Sequence, residues 1–195
     1  MRVITGTARG RKLKEPVGLD TRPTADRVKE GIFSSIQFEI EGRRVLDLFG
    51  GTGQMGIEAL SRGAARCIFV DLRKEAVGII RENLALTGFT DRAQVIQGDA
   101  LAFLSRCREP FDLIFLDPPY GSGLLEKSME RITAIDIVSE NGIIVCENGS
   151  NAGWPMVSPP YRMQKEYRYG KIKTALYRRL PDEPALSAEE RTTMP

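Results

Sequence analysis

The 195-residue chain contains no histidine. Neither a Ser-His-Asp or Cys-His relay nor an imidazole-ligated zinc or haem can therefore be assembled from its own residues. Cysteine is scarce: Cys67, Cys107 and Cys146 are widely spaced and form no C-x-x-C pair. That pattern indicates neither a thiolate zinc site nor a disulfide framework, and no metal is expected. Each cysteine lies in or beside an apolar run and reads as a buried free thiol in a reducing compartment. Long apolar runs are missing too. None approaches the ~18 residues of a membrane span, and the opening MRVITGTARGRKLKEP has no signal-like stretch. A soluble cytoplasmic protein with no membrane partner is expected. Whatever chemistry occurs must use carboxylates, amides, backbone and a cofactor.

What is present is ordinary globular material, with 42% hydrophobic and 28% charged residues. The length fits one full-sized domain with an appendage. Five short apolar runs recur as RVLDLF (44–49), RCIFV (66–70), AQVIQ (93–97), FDLIFL (111–116) and GIIVCEN (142–148). Their Val, Ile and Phe content and their length predict strands, several too continuously apolar to have a solvated face. Helical patterns fall between them at Gln54–Arg62, Lys74–Thr87, Ala100–Arg106 and Leu124–Ile135. Such alternation predicts right-handed βαβ units in an α/β fold with a doubly wound, mainly parallel sheet.

Two pieces stand outside the alternation. Residues 2–14 read as a short hairpin turning at Gly6–Gly10, followed by an extended segment to Thr24. A helix is predicted over Thr24–Phe38, with Thr24 as N-cap and Val28, Ile32, Phe33 and Ile36 on one face. Glu166–Tyr169 and Thr174–Arg178, separated by Gly170, read as a terminal antiparallel hairpin. The chain thus divides into an N-terminal extension (1–40), a cofactor-binding domain (41–180) and a tail (181–195) of low apolar content.

Three motifs carry chemistry. Gly51-x-Gly53-x-x-Gly56 follows a predicted strand ending at Asp47-Leu-Phe and opens a predicted helix. Glycines suit a turn with unusual dihedrals that must approach a nucleotide closely, although a tight turn without ligand would also use them. Asp71, followed by Leu72, ends the next strand, where a carboxylate can accept ribose hydroxyls. Asp99, followed by Ala100, ends the third and reads either as a helix N-cap or as a contact to an adenine edge. These features alone do not separate a nicotinamide dehydrogenase from a methyltransferase. Asp117-Pro118-Pro119-Tyr120, directly after FDLIFL, does. Two prolines fix the backbone and remove two donors, leaving acceptors beside a stacking face. That suits an amino group on a flat ring and offers nothing to a hydride.

At this point the chain resembles the Class I S-adenosylmethionine-dependent methyltransferases carrying Asp/Asn-Pro-Pro-Tyr/Phe, and more narrowly the small-subunit (16S-type) ribosomal RNA guanine-N2 methyltransferase family. The resemblance covers roughly residues 1–180. It is carried by Arg2-Val-Ile-Thr-Gly, Ala8-Arg-Gly-Arg-Lys-Leu, Arg22-Pro-Thr-Ala-Asp-Arg-Val-Lys-Glu30, the glycine loop, Glu58-Ala-Leu-Ser-Arg-Gly-Ala64, Asp117–Tyr120 and Tyr169-Gly170. Gly50 stands where Ala is common and Ser34 where Asn is frequent. The resemblance implies a Rossmann-like, seven-stranded-type sheet with the hairpin and helix extension in front. It implies S-adenosyl-L-methionine as cofactor, bound by Asp47, Gly51, Gly53, Gly56, Asp71, Leu72, Asp99 and Ala100. The acceptor group is Asp117, Pro118, Pro119 and Tyr120: Asp117 and the Pro118 carbonyl accept the N–H bonds of a guanine amine while Tyr120 stacks on the unpaired or flipped base.

The small net charge of +2 is an average over unlike segments. Residues 1–31 hold eight basic residues against four acidic, and residues 161–180 hold seven against Glu166 alone. Arg2, Arg9, Arg11, Lys12 and Arg22 are the candidate RNA contacts. For the last hairpin, phosphate contact and solvated edge charge weigh equally. The expected partner is ribosomal RNA or the assembling small subunit, and the chain is expected to act as a monomer. Three alternatives stay open: adenine-N6 methylation of DNA, methylation of a protein glutamine, and a non-catalytic RNA-binding or assembly module.

Overall fold

The computed structural model describes residues 1–16 and 23–181. Arg22 and the tail from 182 onward lie outside what is described, and because α1 already begins at Pro23, Thr24 is a helical residue rather than the expected N-cap. The elements in order are α1 (Pro23–Ser35), β1 (Arg44–Leu48), α2 (Gln54–Ser61), β2 (Arg66–Asp71), α3 (Lys74–Thr87), β3 (Ala93–Gln97), α4 (Ala100–Arg106), β4 (Phe111–Leu116), α5 (Leu124–Ile135), β5 (Val138–Gly149), β6 (Tyr161–Tyr169) and β7 (Ile172–Arg179). They form a seven-stranded sheet in the order β3-β2-β1-β4-β5-β7-β6. Strands β1 to β5 run parallel, and β7 enters antiparallel between β5 and β6. This is the expected Rossmann-like α/β architecture.

Period-two alternation explains why the central strands are apolar throughout. Val45, Phe69, Phe115 and Val145 face one layer with α1, α2 and α3, whereas Leu46, Val70, Leu116 and Cys146 face the other with α4 and α5. Helices on both faces leave the inner strands no solvated side. All three thiols are buried and free, as expected, and burial raises each thiol pKa, keeping it inert. Among the described residues no helix is long and apolar enough to cross a membrane.

The expected boundaries needed three corrections. Helix α1 stops at Ser35 rather than Phe38. The Ser35 hydroxyl donates to the Ile32 carbonyl (2.6 Å), and the chain then turns so that both Ile36 and Ile40 are buried while Phe38 is 93% exposed. Strands β5 and β6 begin earlier than their apolar patterns suggested, because pairing with neighbours extends them through polar residues. The expected N-terminal hairpin is reduced to one antiparallel bridge, Arg2 with Lys12.

That short arm is held by side chains of the helices beneath it. Glu58, fully buried on α2, accepts the Ile4 and Thr5 N–H groups (2.8 and 3.0 Å) and pairs with Arg62 (2.9 Å) and Lys29 (3.6 Å). Asn83 on α3 accepts the Lys14 N–H and donates to the carbonyls of Lys14 and Thr52. The arm's Val3, Ala8 and Leu13 belong to the same apolar cluster as α1 and the sheet. The arm is therefore docked on the domain and linked through Asn83 to the glycine turn.

Candidate active site

The order of connections reverses between β1 and β4, and ligands of open α/β sheets bind in the crevice at such a point. Asp47 on β1 and Asp117 just beyond β4 lie on adjacent strands, since Asp47 is in register with Phe115. Asp47 is 4% exposed and accepts the Gly56 N–H (3.0 Å). Burial pushes its carboxyl up to about 7, against the opposing effect of that N–H and with added repulsion from Asp71.

The loop after β1 is strained and tightly shaped. Phe49 adopts φ +83°, rare for a bulky residue, followed by Gly51 at +58° and Gly53 at +77°. The Gly51 N–H donates to Asp71 Oδ2 (2.8 Å), while Asp71 Oδ1 accepts the Arg73 N–H (2.9 Å). Asp71 thus shapes the glycine turn, and with Oδ1 also taken by the Arg73 Nε (3.4 Å), it is Oδ2 that keeps capacity for another donor. Gly56 has a different task from Gly51. A Cβ there would lie 2.3 Å from the Phe69 ring and 2.6 Å from Cys67 Sγ, so its bareness lets α2 pack on β2 and bring its N–H to Asp47.

The remaining cofactor candidates are more scattered. Leu72 is 66% exposed beside Asp71 and offers an apolar surface at the strand end. Asp99 caps α4, with Oδ1 accepting the Ala102 N–H (2.8 Å), and Ala100 is buried in that helix's first turn. Asp99 borders a separate cavity of about 440 Å³ beside Phe103 and Arg106. The crevice proper is a cavity of about 220 Å³ bordered by Asp47, Phe49, Gly51, Gln54 and Asp117.

A second cavity of about 170 Å³ lies alongside it, bordered by Lys29, Gln54, Asp117 and Glu147. The two share Gln54, Met55 and Asp117. Asp117 therefore stands on the wall that the two cavities share. Tyr120 Oη donates to Glu147 Oε1 (2.6 Å), and its half-exposed ring lies beside Gly149. Pro118 is buried and Pro119 exposed. Asp117 still reaches solvent through the cleft, but the dense surroundings and the charges of Glu147 and Asp47 raise its pKa well above the usual carboxylate range. Burial raises Glu147 as well, and burial together with the neighbouring Glu147 keeps Tyr120 in its neutral, donating form.

Sequence reading missed Glu147 and Gln54. Glu147 ends a run of buried apolar residues on β5, and the pairing of Leu116 with Cys146 puts it beside Asp117. An acidic residue closing an apolar strand was the available signal. Gln54 Oε1 is buried without a hydrogen-bond partner on the shared wall, which marks it as a group for a ligand.

Among the basic candidates, Arg2, Arg9, Arg11 and Lys12 are exposed. The last hairpin behaves differently. Arg178 binds Glu39 (2.8 Å), Arg179 binds Asp136 (2.8 Å), and Lys173, 4% exposed, lies 4.3 Å from the centre of the Trp154 ring. These three residues serve the fold, leaving Arg162, Lys165, Arg168 and Lys171 outward.

The residues present fit the expected S-adenosylmethionine. A glycine turn admits a nucleoside, and the carboxyl groups of Asp47 and Asp117 line the crevice while Asp71 holds the turn, offering acceptors to a cationic sulfonium and ammonium. The raised Asp47 pKa makes a test. In the free fold this carboxyl holds its proton more tightly than in the unfolded chain, so its contribution to stability is present below about pH 4 and lost as pH rises through about 7. A cationic ligand reverses the preference by favouring the ionised form. Affinity for S-adenosylmethionine is expected to fall by up to about tenfold per unit as pH drops below 7. Calorimetric titration of the wild type and Asp47→Asn checks this; the same slope in both would remove Asp47 from that role.

The profile of the family described as Conserved hypothetical protein 95 matches residues 1–178. The chain is 40% identical over 182 residues to YlbH of Bacillus subtilis, covering 92% of this chain and 99% of that one. It is 33% identical over 179 residues to the Ribosomal RNA small subunit methyltransferase D of Escherichia coli K12, covering 92% and 90%. The solved structure of yhhF from Escherichia coli superposes with a TM-score of 0.84 at 31% identity, covering 92% and 98%. The match runs unbroken through the arm, the crevice and the acceptor motif, and the chain belongs to the Conserved hypothetical protein 95 family.

Proposed function

We propose that this protein methylates small-subunit ribosomal RNA at the exocyclic N2 amine of a guanine. The observation that carries the reading is the position of Asp117 on the wall shared by the two cavities. An acceptor there faces the cofactor space and the base space together. When bound, S-adenosyl-L-methionine supplies a methyl group whose bond to sulfur breaks with the electron pair left on sulfur.

The protein's part is positioning and electrostatics. A guanine amine is a poor nucleophile because its lone pair is delocalised into the ring. Asp117 and the Pro118 carbonyl accept its two N–H bonds, turn the lone pair toward the methyl group and stabilise the positive charge that develops on nitrogen. The lone pair forms the new N–C bond, and the amine then releases one proton. The raised pKa of Asp117 makes its carboxylate a better acceptor for that proton than an ordinary aspartate. Tyr120 stacks on the base, its hydroxyl anchored to Glu147. The relatives' names favour ribosomal RNA over DNA or a protein glutamine.

The test is to incubate the purified protein with labelled S-adenosylmethionine and, separately, unmodified ribosomal RNA, assembling small subunits and duplex DNA, then identify the labelled nucleoside. N2-methylguanosine from the RNA or the particle supports the reading; N6-methyladenine in DNA overturns it. In this reading residues 1–40 present the RNA-facing surface. Arg9→Glu together with Arg11→Glu is expected to weaken RNA binding and to reduce the slope of log affinity against log salt by about 1 to 2. An unchanged slope would make both residues ordinary solvated surface.

A further inference from the structure

Glu147 has one carboxylate oxygen committed and one open. Oε1 accepts the Tyr120 hydroxyl at 2.6 Å, whereas Oε2 has no hydrogen-bond partner among the described residues. The same side chain borders the 170 Å³ cavity with Asp117. Strand register makes them neighbours, because each stands one residue beyond the paired Leu116 and Cys146. Two adjacent carboxylates thus face one cavity beside a stacking tyrosine. Bringing two such groups together is unfavourable unless donors lie between them.

The bases differ in what they offer this pair. The Watson–Crick edge of guanine presents N1–H next to the N2 amine, so two donors are side by side. Adenine presents its amine next to a bare N1, whose lone pair would confront a carboxylate. We infer that Glu147 reads the guanine N1–H while Asp117 holds the neighbouring amine, so that Glu147 sets the choice of guanine over bases lacking an N1 proton. The inference rests on the guanine-N2 reading above and deepens it. Tyr120 then has two tasks: its ring supports the base, and its hydroxyl fixes the Glu147 carboxylate in place. A site built to receive a donor rejects an analogue without one far more strongly than an apolar pocket discriminates by shape.

2-Aminopurine separates the two carboxylates, because it keeps the amine and replaces N1–H by a lone pair. Once the wild-type enzyme has located its guanine, small-subunit RNAs carrying either base at that position are compared by kcat/KM. The wild type is expected to prefer guanine by about 100-fold or more. Glu147→Gln is nearly isosteric and its amide can donate to a bare N1. It is expected to lose about 10- to 100-fold on guanine and to bring the two substrates within about tenfold of each other. Retained activity on 2-aminopurine would show that the variant is folded. A guanine preference unchanged by Glu147→Gln overturns the inference even if N2-methylguanosine is formed. Absence of N2-methylguanosine from the wild-type reaction overturns the underlying reading and this inference with it.

Discussion

Asp117→Ala is expected to lower methyl transfer by about 100- to 1,000-fold, because it removes an acceptor aimed at charge that develops only in the transition state. S-adenosylmethionine affinity should fall much less, since Asp47, Asp71 and the glycine turn remain. Single-turnover rates and calorimetric titration on the same preparations check the two halves. An equal loss of binding and rate would place Asp117 in the cofactor site alone, and a loss of less than about tenfold would remove it from the chemistry. Asp117→Asn resolves its role further. The amide keeps an acceptor oxygen but takes no proton at neutral pH. Near-wild-type transfer would make Asp117 an orienting acceptor; a defect as deep as that of alanine would make it the proton acceptor as well.

Glu58→Ala should produce the largest loss of stability, about 3 to 5 kcal/mol, the range for breaking a buried ion pair from one side. Glu58 is fully buried and is the counter-charge for Lys29, which is 1% exposed. Burial already lowers the Lys29 pKa, and Glu58 is the main influence opposing that fall. Its removal also orphans the Ile4 and Thr5 N–H groups, whose only acceptor among the described residues it is. Denaturant unfolding and proteolysis of the arm check the outcome. The arm is expected to become protease-sensitive before the domain does, with RNA binding weakened alongside. A loss below about 1 kcal/mol would mean that the arm is held by its apolar contacts rather than by Glu58.

Much of this was legible one residue at a time. Apolar runs of strand length alternating with helical patterns predicted the parallel sheet, and Lys74–Thr87, Ala100–Arg106 and Leu124–Ile135 form helices with the predicted limits. Local chemistry is why: a cap, a glycine and a periodic face lie within a few residues of each other. The misjudged boundaries lay where partners decide. Val138 and Tyr161 open strands because β4 and β7 offer them hydrogen bonds, not because their neighbours are apolar. The basic residues of the last hairpin followed the same logic. Arg178 and Arg179 look like surface charge in a list, yet Glu39 and Asp136, remote in the chain, draw them into ion pairs.

By itself, the amino-acid sequence determined the class of chemistry. A chain without histidine that carries a glycine turn and Asp117-Pro-Pro-Tyr can bind a nucleotide-containing cofactor and offer acceptors to an amine on a flat ring, because those capacities belong to residue types and to spacings of a few residues. Only the tertiary structure decided which groups meet. It placed Glu147 beside Asp117, committed one of its oxygens to Tyr120, packed Gly56 against β2 so that its N–H holds Asp47, and tied the N-terminal arm to Glu58. Each is a contact between residues separated in the chain, set by strand register and helix packing, and none is written in any local stretch of sequence.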